Sequence, residues 1–555
     1  MRILGHLLFP ALAILVGGVG AQTVIIVPVQ QPTIQAGIDA AKNQYTVVVL
    51  AGTYRENVSF KGKSFTLLGA GPGKCIIDGG LQKPVVTFDQ GETRNALLMG
   101  FTLRNGLGLP NSSAPGGGIR IMGSSPTIRG CTITGCITGF WGGGIGISDL
   151  DPAYPPRSVN PASPLIEECR IEGNTAGTPA GAAYASGGGI ACVGFDSVAK
   201  GGRAVIRRCE ILGNEANACG GGIYARYNHD LTVEDCLVAG NTTLGRTGAL
   251  DGGAGICLAL NAVGLLRNNR IHGNLSHSDG GGVKFINVTD PALVNNTVVE
   301  NQGGGLAGHA YKHDFGQNVR ASVVNCIFWN NPGGEVGLTG LDRNNRPPAV
   351  TMTCSDIQGG YTGKGNINAA PGLLNAASGN HRLSPTSPCI DRGDGQAANL
   401  PARDFEGDPR VLAGGVDMGA DEADPAAALH HADRAFLSLG QGGTVQYTIA
   451  GGAQRAGKAF VILPGFGGTR PGLQLGSLHL PLNPENSTWI LLAALPGTFV
   501  GSLDGKGQAL ARFQLPPSLP PELLGFTLST AALVIDPVSA WIDCATNDEN
   551  LGFTR

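Results

Sequence analysis

Ser125-Pro-Thr-Ile-Arg-Gly-Cys131-Thr-Ile133 returns as Ser163-Pro-Leu-Ile-Glu-Glu-Cys169-Arg-Ile171, as Ala204-Val-Ile-Arg-Arg-Cys209-Glu-Ile211 and as Leu231-Thr-Val-Glu-Asp-Cys236-Leu-Val238. Later copies place asparagine in the cysteine slot, at Asn269 before Arg-Ile271 and at Asn296 before Thr-Val298, and cysteine returns at Cys326 and Cys354. Successive slots lie 38, 40, 27, 33, 27, 30 and 28 residues apart. A fixed motif at intervals of this size marks stacked structural repeats, each too small to bury its own apolar face. Within each copy the apolar residues alternate over two or three short runs, the period of a strand. The fold expected is all-β: a right-handed parallel β-helix of about eleven coils. At about 4.8 Å per coil these would rise roughly 50 Å.

A second signature follows each slot. Gly173-Asn174, Gly213-Asn214, Gly240-Asn241 and Gly273-Asn274 precede glycine triplets ending on an apolar residue, such as Gly116-Gly-Gly-Ile119, Gly142-Gly-Gly-Ile145, Gly187-Gly-Gly-Ile190, Gly220-Gly-Gly-Ile223 and Gly280-Gly-Gly-Val283. Stacked coils set equivalent residues over one another, so repeated asparagines can chain their amides. The triplets allow the positive φ of a tight corner. Cys131, Cys169, Cys209, Cys236, Asn269, Asn296, Cys326 and Cys354 are therefore expected to form one stacked column of small side chains. The thirteen cysteines read as packing thiols rather than disulfides, because in-register parallel strands aim their Cβ vectors the same way. No Cys/His spacing suits zinc. Extra residues at Asp149–Ala162, Asp196–Gly202 and Thr242–Asp251 must be loops, which is where a β-helix carries function.

Composition agrees. Glycine is 89 of 555 residues, about twice its usual share, and only 14% are charged, a pattern of turns and strands rather than helices. The formal net charge of −3 gives no general affinity for nucleic acid. Arg2, the apolar run Ile3–Val16 and the small residues of Val19-Gly20-Ala21 read as a signal peptide, residues 1–21, cleaved before Gln22. No span is expected in the mature chain, and secretion or display at the cell surface follows.

Pro32–Asn43 places Ile34, Ile38 and Ala41 on one helical face, an amphipathic helix capping the first coil. Thr33-Ile-Gln-Ala-Gly-Ile-Asp-Ala-Ala followed by Val47-Val-Val-Leu-Ala-Gly-Thr-Tyr54 resembles the opening of pectin-lyase-like right-handed β-helix proteins. His381-Arg-Leu-Ser-Pro-Thr-Ser-Pro-Cys-Ile-Asp391, Asp404-Phe-Glu-Gly-Asp-Pro-Arg410 and Gly415-Val-Asp-Met-Gly-Ala-Asp-Glu422 resemble the closing module of bacterial surface β-helix proteins of the choice-of-anchor type. These resemblances imply export and surface residence, and no catalytic residue. The expected organisation is a β-helix with closing module over 22–423, a linker over 424–440 and a β-sandwich over 441–545. Its expected strands are Gly443–Ile449, Lys458–Leu463, Leu475–Leu480, Trp489–Leu492, Ala509–Phe513 and Ala531–Ile535. Pro471-Gly-Leu-Gln-Leu-Gly and Phe513-Gln-Leu-Pro-Pro-Ser-Leu-Pro-Pro521 resemble a C-terminal module of exported planctomycete-type proteins, which implies a sorting or surface-retention role.

Hydrolases on this fold carry an Asn-Thr-Asp step, a paired Asp-Asp, a Gly-His-Gly and an Arg-Ile-Lys; none occurs here. The polar concentration lies in the middle coils. Tyr224, Arg226, Tyr227, His229 and Asp230 follow one triplet; Asp251 and Asp279 precede neighbouring corners; Lys284 aligns with Tyr224 and is expected to point outward; His309, Tyr311, Lys312, His313 and Asp314 fill a later loop. Two functions remain open. One is a non-catalytic, adhesin-like protein binding a polysaccharide or cell-surface glycan through Tyr224, Tyr227, His229, Asp230, His313 and Asp314, without a cofactor and as a monomer. The other is a polysaccharide lyase with Lys284 or Arg226 as base and Asp251 and Asp279 as Ca²⁺ ligands, since lyases acidify the C5 proton with a cation and remove it with a base. Arg392-Gly393-Asp394 reads as a turn rather than an integrin signal.

Overall fold

The computed structural model describes residues 23–554 apart from 109–115, 150–159, 178–182, 195–200, 228, 246–250, 313–318, 377–378, 413, 424–428, 433–435, 467, 469–472, 476–477, 481, 485, 519–526 and 538–541. The expected signal peptide, most of the three expected loops, and His313 and Asp314 lie outside the described residues. The chain divides into two compact units, residues 1–230 and 231–555.

In the first unit the helix Ile34–Ala40 follows an N-cap at Thr33, whose hydroxyl accepts from the Ala36 N–H. The Glu56 carboxylate accepts the Ile34 and Gln35 N–H groups, satisfying two donors that a helix start leaves open. Ile34 and Ile38 are fully buried, as the period predicts. Parallel strands then wind in coils. One column runs Thr46–Val49, Thr66–Gly69, Leu97–Met99, Thr127–Arg129, Leu165–Glu167 and Arg203–Arg207, each in register with the next. A second runs Thr102–Arg104, Thr132–Thr134, Arg170–Glu172 and Glu210–Leu212. A third runs Val86–Phe88, Ile119–Met122, Ile145–Ser148, Ile190–Val193 and Ile223–Arg226. Inward residues repeat in kind: Ile128, Ile166 and Ile206 stack, as do Ile133, Ile171 and Ile211, all at 0% exposure. The outer face of the first column alternates charge, with the Glu167 carboxylate held between Arg129 and Arg207, so a slip of one coil would set like charges together.

The same columns recur in the second unit, as Val263–Arg267, Thr289–Val294, Arg320–Val324 and Ala349–Thr353, as Leu237–Ala239, Arg270–His272, Thr297–Val299 and Ile327–Trp329, and as Ile256–Ala259, Val283–Ile286, Leu306–Ala310 and Val336–Gly340.

From Thr127 onward, each corner after a first-column strand has two residues. The first sits in the left-handed region, at Gly130, Glu168, Arg208, Asp235, Asn268, Asn295, Asn325 and Cys354, with φ between 46° and 56°. The second is the small-residue column. The Cys131, Cys169, Cys209, Cys236 and Cys326 thiols each donate to the carbonyl two residues back, at 3.2–3.3 Å. Asn269 donates to the Asn296 side chain at 2.9 Å. The column ends on Ser355, whose hydroxyl accepts the Cys326 N–H. Cys354 was expected in this column; it stands one position earlier, in the left-handed residue, because Val324 pairs with Thr353. All thirteen cysteines are thiols, and burial pushes Cys131, Cys136 and Cys326 up to about 12.

The next corner carries the asparagine ladder. Asn174 donates to Asn214 at 3.0 Å in the first unit. In the second, Asn241, Asn274, Asn301 and Asn331 form one chain with links of 2.8–2.9 Å. Each Oδ1 also accepts a backbone N–H of the preceding coil. At the corners starting at Gly116, Gly142, Gly187, Gly220 and Gly280 only the first glycine has positive φ, whereas at Gly303–Gly305 the first two do. The second and third are needed because the next coil is too near: a Cβ on Gly143 would lie 2.4 Å from the Gly188 carbonyl oxygen.

After the coils, Leu373–Asn375 and Asn380–Leu383 form an antiparallel hairpin. Residues 384–423 then lie along the second unit's corner column rather than closing an end. The Asn268 amide donates to the Arg403 carbonyl and accepts from Arg410; Asn295 donates to the Asp417 and Gly419 carbonyls; Asn325 exchanges two bonds with the Asp394 backbone. Val299, Ile327, Leu383, Cys389 and Met418 are buried together beneath this segment. The last residues form sheets that are antiparallel except where Phe436–Ser438 runs parallel to Gly552–Thr554. Leu429–Ala432, Gly443–Ala450 and Gln508–Leu515 make one; Phe436–Ser438, Ile542–Thr554, Thr527–Ile535, Ala459–Gly465 and Val500–Ser502 make another. Both bury side chains in one core, with Val445, Tyr447, Phe513, Ile462, Ala532 and Leu551. Part of the expected linker is thus strand, at 429–432 and 436–438. The expected strand Trp489–Leu492 is instead helix, Asn486–Ala494; a short apolar run does not separate the two by periodicity.

Replacing Asn274 by Ala removes the acceptor of the Asn241 N–H and amide. The expected cost is about 3 kcal/mol, since buried polar groups are left without partners, against about 1 kcal/mol for Cys209→Ala. Denaturant midpoints of the two variants check the difference.

Candidate functional site

From Leu97 onward, every connection from the first column to the second is two residues long, and so is every connection from the second column to the asparagine corner. All length variation borders the third column. Thr138 to Ile145 leaves six residues between, Ala176 to Ile190 thirteen. On the other border, Ser148 to Leu165 leaves sixteen and Ile286 to Thr289 two. Among the described candidate residues, Tyr224, Arg226 and Lys284 lie in this column and Tyr227, His229, Asp251 and Asp279 at its borders, while Asp230 opens the first-column strand that follows.

In the first unit, Arg226 ends its strand with its guanidinium 3.7 Å from the centre of the Tyr227 ring and 5.5 Å from that of Trp141. Stacking between rings fixes a cation's position without neutralising it. Its Nε has no hydrogen-bond partner among the described residues. Phe140 meets Trp141 edge-on at 6.3 Å, and Tyr184, two residues before the next coil's Ser186, is 75% exposed. Tyr224, by contrast, is buried. Arg120 pairs with Asp89 at 2.9 Å in the same column. His229 is fully buried; its Nε2 lies 3.7 Å from Asp149. The Asp149 carboxylate accepts the N–H groups of Ala162 and Gly202, which end two of the insertions. Asp230 pairs with Arg203. His229 and Asp230 therefore brace loop roots, and the accessible part of the group is Arg226 with its rings.

In the second unit, Lys284 was expected to point into solvent; it is fully buried. Its strand neighbours are Cys257 and Ala307, small enough to let the long side chain lie over them. The ammonium donates to the Asp251 carbonyl at 2.5 Å and contacts the Asp279 carboxylate. Lys284, Asp251 and Asp279 do converge, but an ammonium sits where Ca²⁺ would have to bind Asp279. His309 bonds Thr339 at 2.9 Å and is held below its usual value by burial, with the Lys284 charge adding to it. Tyr311 exchanges backbone bonds with the Asn287 side chain.

Trp141, Asp149 and Arg120 were not singled out from the sequence. Trp141 stands immediately before a glycine triplet and is half-buried there. The carboxylates near enough to share an ion, among the described residues, are Asp404, Glu406 and Asp421, in the closing segment, where Glu406 pairs with Arg270 and Arg382.

Residues 104–347 match the family model of the right-handed β-helix region, which agrees with the parallel columns. No curated protein and no solved structure matches the chain. Among the described residues no helix is long and apolar enough to cross a membrane.

Burial pushes the Asp421 carboxyl up to about 7 and that of Glu422 up to about 8. Groups raised in the folded state stabilise it fully below the ordinary carboxylate range, near pH 4, and this support is lost as pH climbs to about 8. The thermal midpoint of the protein should therefore fall between pH 5 and pH 9. A D421N/E422Q variant should lose most of that slope above pH 6.

Proposed function

We propose that this chain is an exported surface protein that binds a glycan along the loop-bordered third column, without catalysis. The observation that carries the reading is the confinement of every length change from Leu97 onward to the two borders of one strand column, on which Trp141, Arg226 and Tyr227 form a stacked group. A rigid scaffold with variable loops on one face is how binding surfaces are diversified. Rings offer flat apolar faces to the C–H side of a sugar, and an arginine held between them offers donors to hydroxyl or carboxylate oxygens. The signal sequence supports export, and the resemblance of the C-terminal segment to sorting modules supports retention at the surface.

The lyase reading has the convergence of Lys284 with Asp279 in its favour. A base must reach the proton it removes, and Lys284 is buried with its ammonium engaged, so binding is the better reading.

A glycan array probed with the full-length protein tests this. Wild type should retain one or more polysaccharides. Arg226→Ala and Tyr227→Ala should each weaken that binding at least about tenfold, the effect of roughly 1.4 kcal/mol, while Lys42→Ala, just past the end of the capping helix, leaves it unchanged. Equal binding by wild type and Arg226→Ala would sink the assignment. Formation of unsaturated products from uronic-acid polymers would favour the lyase instead.

A further inference from the structure

A sheet edge carries a row of backbone donors and acceptors ready to pair with another strand, and proteins keep such edges short, bulged or charged. In the C-terminal region three edge strands follow this rule by length: Leu429–Ala432 has four residues, and Phe436–Ser438 and Val500–Ser502 three each. Gln508–Leu515 does not. Among the described residues it is an edge strand of eight residues, paired with Gly443–Ala450 in unbroken register without a bulge. It holds no proline and a single charge, Arg512. Leu510 on its outer face is 60% exposed.

Its side chains are complementary to themselves. We propose that Gln508–Leu515 is a homodimer interface, pairing antiparallel with the same strand of a second copy across a two-fold axis at Ala511. Gln508 then stands opposite the partner's Gln514, Ala509 opposite the partner's Phe513, Leu510 opposite the partner's Arg512, and Ala511 opposite itself. On the buried face the large ring meets a small neighbour. On the outer face the aliphatic stem of Arg512 covers Leu510. Moving the axis to Arg512 would set the two guanidinium groups face to face, and moving it to Leu510 would shorten the paired segment, so the register is specified. The two three-stranded sheets become one of six strands, and a C2 pairing closes on itself without leading to a fibre. The proposal is independent of the glycan reading.

Sedimentation equilibrium of the full chain tests it. Wild type should approach the mass of two chains as concentration rises. Leu510→Lys puts an ammonium opposite the partner's Arg512 twice per dimer and should weaken association on the order of tenfold. Leu510→Glu, at the same exposed position, should hold or tighten it. The double variant L510K/R512E should restore it, with circular dichroism unchanged in all three. A wild-type mass of one chain at every concentration overturns the proposal. So does an equal effect of Leu510→Lys and Leu510→Glu.

Discussion

Everything in the coiled part of this protein depends on equivalent residues of neighbouring coils lying directly over one another. The buried amide ladder shows why that stacking is strict. Each asparagine spends its two donors and its acceptor on the coils above and below: Asn274 gives N–H to Val238 and Asn301 and takes from Asn241. A coil displaced by one residue would leave all of these groups buried and unsatisfied, at 1–3 kcal/mol or so apiece. The glycine corners enforce the same register through sterics, since the next coil's carbonyl oxygens occupy the space of a Cβ. The alternating charges around Glu167 and between Glu234 and Arg267 enforce it on the outside.

Most of this was legible from the sequence because stacking repeats the same residue type at the same place. The cysteine and asparagine columns, the glycine corners and the capping helix all announce themselves by recurrence or period. What was misread lacks recurrence. Cys354 looks like another rung, yet the pairing of Val324 with Thr353 gives the rung to Ser355. Lys284 seemed bound for solvent; small neighbours at Cys257 and Ala307 let it lie down and reach Asp279. The helix at Asn486–Ala494 has an apolar run with no face, so nothing in its pattern separates it from a strand.

The closing segment could not have been placed by pattern either, because its contacts join residues 69 to 142 positions apart. Its docking explains a choice of residue that periodicity leaves open. Where the corner's left-handed position is covered, at Asn268, Asn295 and Asn325, it is asparagine, which tolerates that backbone and supplies an amide to the covering chain. In the first unit the same position is Gly130, Glu168 and Arg208, and the corner is finished with exposed ion pairs such as Arg208 with Glu168.

The constancy of the two-residue corners also says how such a chain can change over time. An insertion at a ladder-bearing corner would push that coil's asparagine or small residue out of its column and leave the neighbouring coils' amides without partners. An insertion at a border of the third column meets no ladder, and lengthening an existing loop there costs only about 0.6 kcal/mol per doubling of its length. Selection can therefore rewrite the loops freely while the coils stay as they are, and a whole coil can be added or lost without disturbing its neighbours. The fold thus lets its loop-bordered face vary while its scaffold stays fixed.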